Sequence, residues 1–222
     1  MRSPTGASWS GSPSVVSRET PALPPWLEPS RGGLTTYHDL LQGPGIERGL
    51  IGPREADRLW DRHILNCAVV ADPALGLIPS GASVADVGSG AGLPGLVWAI
   101  ARPDITCVLV EPLLRRATFL TEAVIALDLT SRVRVERGRA EDLVRAGWQP
   151  VSVVTARAVA PLPKLMAWTM PLLAPGGSLV ALKGAAAEEE VEAAGVDSAR
   201  VVRCGDGVVD PLTTVVVVTA AE

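Results

Sequence analysis

The residues best suited to chemistry in this chain lie in one run, Asp86-Val87-Gly88-Ser89-Gly90-Ala91-Gly92-Leu93-Pro94-Gly95. Glycines at this density leave backbone N–H groups bare. Where such a loop runs into a helix, those donors and the helix dipole together attract a polar or anionic ligand. Glu111 follows Gly90 by about twenty residues, the separation at which a carboxylate accepts hydrogen bonds from ribose hydroxyls. Glu111 also reads as an ordinary helix-start carboxylate favoured by the dipole. Asp86 is the one charge in an apolar stretch, so it either orients the loop or faces a cationic group of a ligand. Arg157 and Lys183 close two later apolar runs. No grouping of His, Cys and Ser suggests a covalent nucleophile.

These groups need a scaffold, and the pattern around them supplies an α/β one. Residues 84–87 read as a buried strand and residues 93–102 as a helix, which makes the glycine loop a strand-to-helix turn of an open sheet. Strands are then expected at Thr106–Val110, 132–136, 151–155, 178–183, Ala199–Cys204 and Thr213–Thr219. The third alternates Arg132, Val133, Arg134 and Val135, as an edge strand does, and the fourth is apolar enough to be central. Helices are expected over 112–127, with Leu113, Ala117, Leu120, Val124 and Leu127 as one apolar stripe, and over 163–173 and 185–194. The last two strands are joined by a short polar connection with no room for a crossover helix, so they pair antiparallel.

Ahead of the sheet, residues 34–42 form a short helix with Leu34, Tyr37, His38 and Leu41 on one face, ended by Gly43-Pro44-Gly45. Residues 55–71 form a second, with Ala56, Leu59, Trp60, Ile64, Cys67, Ala68 and Ala71 inward and Arg54, Asp57, Arg58, Asp61 and Arg62 outward. Residues 1–33 are rich in Pro, Ser and Gly and read as a disordered leader. They hold no apolar run long enough for a signal peptide, and no run elsewhere is long enough to span a bilayer, so a cytoplasmic protein is expected.

Composition sets limits. A chain of 222 residues with 47% apolar content supports one core with appendages. The formal charge of −4 is not the footprint of a general nucleic-acid binder, so local arginine clusters must carry any contact with RNA. The three cysteines, Cys67, Cys107 and Cys204, are widely spaced and the histidines number two. Neither a disulfide framework nor a metal site is expected.

Three readings of the glycine loop stand at this point. Gly90-x-Gly92-x-x-Gly95 fits the dinucleotide fingerprint of a nicotinamide oxidoreductase. Asp86-x-Gly88-x-Gly90-x-Gly92 fits the loop with which methyltransferases pass beside the methionine part of S-adenosylmethionine. A glycine-rich turn that binds nothing is the third. An oxidoreductase needs a substrate domain or a proton donor, often a Tyr and a Lys on one helix, yet the sheet uses up this chain and its single tyrosine is Tyr37. A seven-stranded mixed sheet with its last strand antiparallel is the Rossmann-like architecture of class I S-adenosylmethionine-dependent methyltransferases, and that reading leads. A protein that binds the cofactor or RNA without catalysis is the remaining alternative.

Arg62-His63-Ile64-Leu65-Asn66, the Asp86–Gly95 run, Arg139-Ala140-Glu141, Ala156-Arg157-Ala158 and Leu182-Lys183-Gly184 occur together in this order. In that combination, over about residues 34–220, the chain resembles the GidB/RsmG family of bacterial small-subunit rRNA methyltransferases. The resemblance implies transfer of a methyl group from S-adenosylmethionine to N7 of a guanine in 16S rRNA, by a methyltransferase domain over 82–222 behind an N-terminal helical extension over 34–81. It departs mildly from the family at Asn66-Cys67, where an acidic residue and a serine are expected, and at Thr155. The segment 185–194 is about two helical turns shorter than usual, and no basic tail follows it.

Carried over, the resemblance implies that Gly88 and Leu93 line the cofactor, that Ala140 and Glu141 lie beside its adenine, and that Arg157 closes the site. Asp86, Gly90, Gly92 and Glu111 complete the expected cofactor set, with Glu141 open to a helix-start role. Arg157 and Lys183, at strand ends, are the candidates to donate to guanine O6 during transfer. For RNA, Arg62, His63, Arg115, Arg116 and Arg139 are the candidates, with His63 equally readable as a satisfied, partly buried histidine. The arginines of that cluster also read as a solvated basic face. The expected partner is 16S rRNA or the small subunit, with a monomeric protein, no membrane and no metal.

Overall fold

In the computed structural model, residues 21–157 and 159–221 are described. Seven strands form one sheet in the order β3-β2-β1-β4-β5-β7-β6, where β1 is Ser83–Val87, β2 Thr106–Val110, β3 Val133–Glu136, β4 Val151–Arg157, β5 Leu173–Lys183, β6 Ala199–Cys204 and β7 Thr213–Thr219. The first five pair in parallel. Strand β7 runs against both β5 and β6. The reversed strand therefore lies inside the sheet, and β6 forms the margin. As the sequence pattern requires, the arginine-bearing β3 is the opposite margin and β4 is central.

Strand periodicity sorts the core into two layers. Val84, Val153, Val180, Leu182, Val215 and Val217 face one side. Ala85, Val87, Val154, Ala156, Leu179, Ala181, Val216 and Val218 face the other. The second layer is covered by α5 (Ala140–Arg145), α6 (Leu162–Thr169) and α7 (Ala187–Ala194). The first is covered by α3 (Gly95–Ala101), α4 (Leu114–Ala126) and the N-terminal helices. Asp86 and Arg157 stand two residues along from Val84 and two from Thr155, so period two turns both toward this first layer.

Residues 1–20 of the expected leader lie outside the described residues. From 21 on the chain packs onto the fold: Leu27 is fully buried and helix α1, Arg31–Leu40, begins inside the segment expected as leader. Its inward face is the expected one, with Leu34, Tyr37, His38 and Leu41 buried. Gly43-Pro44-Gly45 does not end it: the helix widens into a π turn over Leu41–Gly45. A proline lacks the N–H for the ordinary ladder, and a local widening accommodates it.

The second expected helix is also irregular. It begins as a 3₁₀ stretch, Pro53–Arg58, widens to π geometry over Leu59–Leu65, and passes through α2 (Asn66–Ala68) into a last 3₁₀ turn, Val69–Ala71. Its apolar stripe still goes inward, and the Trp98 indole N–H of α3 donates to the Cys67 carbonyl at 2.9 Å. Helix α4 starts two residues after Pro112, so Leu113, expected in its buried stripe, is 55% exposed. Among the described residues no helix is long and apolar enough to cross a membrane.

Candidate active site

The glycine loop joins β1 to α3 at the carboxyl edge of the sheet. Its shape is imposed from below by Asp86 and from behind by Tyr37. Asp86 is fully buried and its Oδ2 accepts the Gly95 N–H at 3.0 Å, which fastens the start of α3 to the end of β1. A Cβ on Gly95 would stand 2.7 Å from that oxygen and 2.5 Å from Leu109 Cδ2, so only glycine lets helix and strand approach this closely. The Tyr37 hydroxyl donates to the Ala91 carbonyl at 2.8 Å. It is buried and already bonded, which removes it as the proton donor an oxidoreductase would need.

Glu111 closes the loop from the neighbouring strand end. Its two oxygens accept the Gly90 N–H and the Leu113 N–H, both at 2.9 Å. The carboxylate is thus both a loop anchor and a helix-start partner, and each oxygen keeps lone-pair capacity for a hydroxyl. Gly90 presents an open side, with a Cβ there meeting nothing nearer than the Gly88 carbonyl at 3.8 Å. Asp86 Oδ1 is the one buried side-chain oxygen or nitrogen without a hydrogen-bond partner among the described residues. A bare loop, an anchored carboxylate and an orphaned buried carboxylate oxygen together suit a polar ligand bearing hydroxyl and cationic groups.

Burial pushes the Asp86 carboxyl up to about 7, against the lowering pull of the Gly95 N–H. The folded chain therefore holds this proton more tightly than the unfolded chain. Stability from this group is complete below about pH 3.9 and is lost as pH rises toward 7, by at most about 4 kcal/mol. Asp86→Asn keeps an acceptor for Gly95 and removes the titration. Urea unfolding of the two proteins between pH 4 and 8 is expected to give a flatter pH dependence for the variant; parallel curves would show that Asp86 does not titrate in this range.

Beside the loop, a cleft of about 1060 Å³ opens over the ends of β4, β5 and β7, with Arg62, Arg157, Val159, Lys183 and Asp210 among its lining residues. It abuts the loop through Val159, whose Cγ2 would be 3.1 Å from a Cβ on Gly88. Arg157 is half-buried, and its guanidinium meets His63 Nδ1 at 2.6 Å and Cys67 Sγ at 3.3 Å. Lys183 Nζ donates to the Ala160 carbonyl and to Glu190 Oε2, both at 2.7 Å. Two of its three donors are thereby committed to holding the chain after β4 against α7.

The expected site residues thus divide. The fold brings Asp86, Gly88, Gly90, Gly92, Leu93 and Glu111 together at the loop, and Arg62, Arg157 and Lys183 together at the cleft. Ala140 is buried at the start of α5 and Glu141 is half-buried beside it. Arg115 is exposed on α4, and Arg116 lies 3.9 Å from Glu111. Arg139 is exposed ahead of α5. None of these three lines the cleft. His63 is 9% exposed and its two ring nitrogens are engaged by Glu55 and Arg157, the arrangement of its other reading as a satisfied, partly buried histidine. The sequence reading missed Glu55, Tyr37 and Cys67 as site-shaping residues. In the sequence Tyr37 and Cys67 read only as core positions, and Glu55 only as the first residue of the second helix.

A family model described as GidB, rRNA small subunit methyltransferase G, matches residues 32–201. The chain belongs to that family. The ribosomal RNA small subunit methyltransferase G of Salinispora tropica is 58% identical over 191 residues, covering 81% of this chain and 77% of the relative. That of Streptomyces coelicolor is 49% identical over 218 residues, covering 92% and 89%. The fold is that of class I S-adenosylmethionine-dependent methyltransferases. A SAM-dependent O-methyltransferase of Thermotoga maritima superposes with a TM-score of 0.53 at 14% identity, over 71% of this chain and 65% of the other. The tRNA (m1A58) methyltransferase TrmI of Aquifex aeolicus gives 0.54 at 13% identity, over 71% and 69%.

Proposed function

We propose that this family member transfers a methyl group from S-adenosylmethionine to N7 of a guanine in 16S rRNA, using the glycine loop to hold the donor and the adjoining cleft to hold the base. The observation that carries this reading is the cleft itself, which abuts the loop and is lined by Arg62, Arg157 and Lys183. Asp86, Gly88, Gly90, Gly92, Leu93 and Glu111 would hold the cofactor, with Ala140 and Glu141 at its adenine end. When bound, S-adenosylmethionine supplies an electrophilic methyl on sulfonium.

Guanine N7 carries a lone pair and no proton, so its attack needs no general base. This agrees with a site whose histidine has both ring nitrogens occupied. What remains for the protein is placement and charge. Arg157, anchored on Cys67 and His63, would donate to guanine O6, fixing the base edge so that N7 faces the loop. Lys183 would act mainly by pinning the Ala160 carbonyl and Glu190, which shapes the cleft wall. Arg62, exposed at the rim, would take a phosphate. A base whose N7 edge enters a cleft must leave the deep groove of duplex RNA, so an unpaired target is expected.

The test is incubation of the protein with radiolabelled S-adenosylmethionine and either unmodified small subunits or naked 16S rRNA, followed by nuclease mapping. Label on a single N7-methylguanine is the expected result. Cofactor binding without label on either substrate would sink the reading and leave a binding protein.

A further inference from the structure

The irregular helix over residues 53–71 carries a line of polar contacts that ends on Arg157. His63 Nε2 lies 2.9 Å from Glu55 Oε2, and His63 Nδ1 lies 2.6 Å from Arg157 Nη2. A guanidinium has donors and no acceptor, so Nδ1 must accept from it. That places the imidazole proton on Nε2, where the Glu55 carboxylate receives it. One tautomer of neutral histidine satisfies both ends, and the opposite tautomer satisfies neither.

The same carboxylate reaches the second arginine of the cleft. Arg62 Nη1 donates to Glu55 Oε1 at 3.2 Å. Glu55 thus holds Arg62 directly and Arg157 through one imidazole. The widened helical turn over Leu59–Leu65 places Arg62 and His63 as neighbours that share this one acceptor. Groups facing His63 are Glu55 and Arg62 from its own helical run and Arg157 from β4; Arg58 bears on Glu55, and Cys67 on Arg157. Tyr37 and Asp86 stand behind Arg157.

We propose that Glu55 is a positioning residue for methyl transfer, acting through neutral His63 to aim the Arg157 guanidinium into the acceptor cleft. The proposal rests on the reading of that cleft as the site of the accepting base. It makes the arrangement sensitive to acid. Protonated His63 presents an N–H, not a lone pair, to a cation, and Arg157 is then repelled from its place. Burial, aided by the charge of Arg157, holds the His63 pKa below its ordinary value against the pull of Glu55, so the loss falls on the acid side of about 6.5.

Two measurements on the full chain test this. Nitrogen-resolved imidazole NMR reads the tautomer directly, and with two histidines in the chain the signals are assigned by a His38→Gln control. His63 protonated on Nε2 is expected; a proton resident on Nδ1 at neutral pH overturns the proposal whatever the activity. Single-turnover methyl transfer to small subunits then compares the wild type with Glu55→Ala and Glu55→Gln. Glu55→Ala is expected to slow transfer roughly 10- to 100-fold while the dissociation constant for S-adenosylmethionine stays within about twofold.

Glu55→Gln keeps an oxygen for the Nε2 proton, so it is expected to restore the rate to within about threefold. Its acid limb should move to lower pH, because the carboxylate that favours His63 protonation is gone. Equal rates for wild type and Glu55→Ala overturn the proposal. So do equal losses in both variants that track their melting temperatures, which would mark Glu55 as structural. A wild type that labels no small-subunit substrate removes the reading of the cleft instead, and the tautomer measurement still decides whether Glu55 orders His63 and Arg157.

Discussion

Arg157→Ala is expected to slow methyl transfer by about a hundredfold or more, with a stability loss of about 1–3 kcal/mol from the unpaired His63 Nδ1 that is too small to unfold the chain under assay conditions. The guanidinium is the one cation in the cleft whose direction is fixed from behind by two side chains, His63 and Cys67. A pre-aimed donor adds little reorganisation at the moment of transfer, which is where such groups act most strongly. Arg157→Lys is not expected to rescue the rate. An ammonium on a flexible stem cannot span an imidazole nitrogen, a thiol and a base edge at once, as a planar fork of five donors does. Single-turnover rates at saturating cofactor and RNA check this; a lysine variant within about threefold of wild type would show that charge alone suffices.

Gly92→Ala is expected to be the most damaging single change in the donor half of the site. Gly92 has φ of +102°. A Cβ there would lie 2.5 Å from Leu96 Cδ1 and 3.0 Å from the Tyr37 hydroxyl. Strain from positive φ and overpacking against two buried side chains each cost about 1–3 kcal/mol. Relief requires Tyr37 to let go of Ala91 or Leu96 to leave the first layer of the core. The measurable result is a drop in unfolding free energy of about 3 kcal/mol, with S-adenosylmethionine binding lost at concentrations that saturate the wild type. Normal stability with weak binding would show that the loop shifts without disturbing its support.

Much of this was legible in the chain. The strand before the glycines, the five-strand parallel run and the closing antiparallel pair follow from period-two apolar runs and from the lengths between them. The isolated charge of Asp86 leaves two readings open, orienting the loop or facing a ligand, and its bond to the Gly95 N–H answers to the first. Less legible was the place of β7, because a polar connection of eight residues fixes that two strands are antiparallel without fixing which of them meets β5. Two helices of the N-terminal segment carry the right stripes, yet their π turns at Leu41–Gly45 and Leu59–Leu65 are tertiary accommodations with no period of their own. The same widening brings His63 to Arg157 across 94 residues of sequence. No local pattern encodes a partner that far away, so Glu55 looked like any acidic residue near a helix start. Lys183 was placed correctly at a strand end, but its partner Glu190 sits in a helix that reads only as an acidic surface.

The hydroxyl of Tyr37 resting on Ala91 ties helix α1 to the glycine loop by a single buried bond. Thermodynamic linkage makes that bond reciprocal: whatever steadies the loop also steadies the helix, in equal measure. Filling the donor site should therefore slow amide hydrogen exchange in α1, on the far side of the loop from the ligand. The N-terminal segment then becomes a reporter of occupancy, its local opening set by how much donor is present.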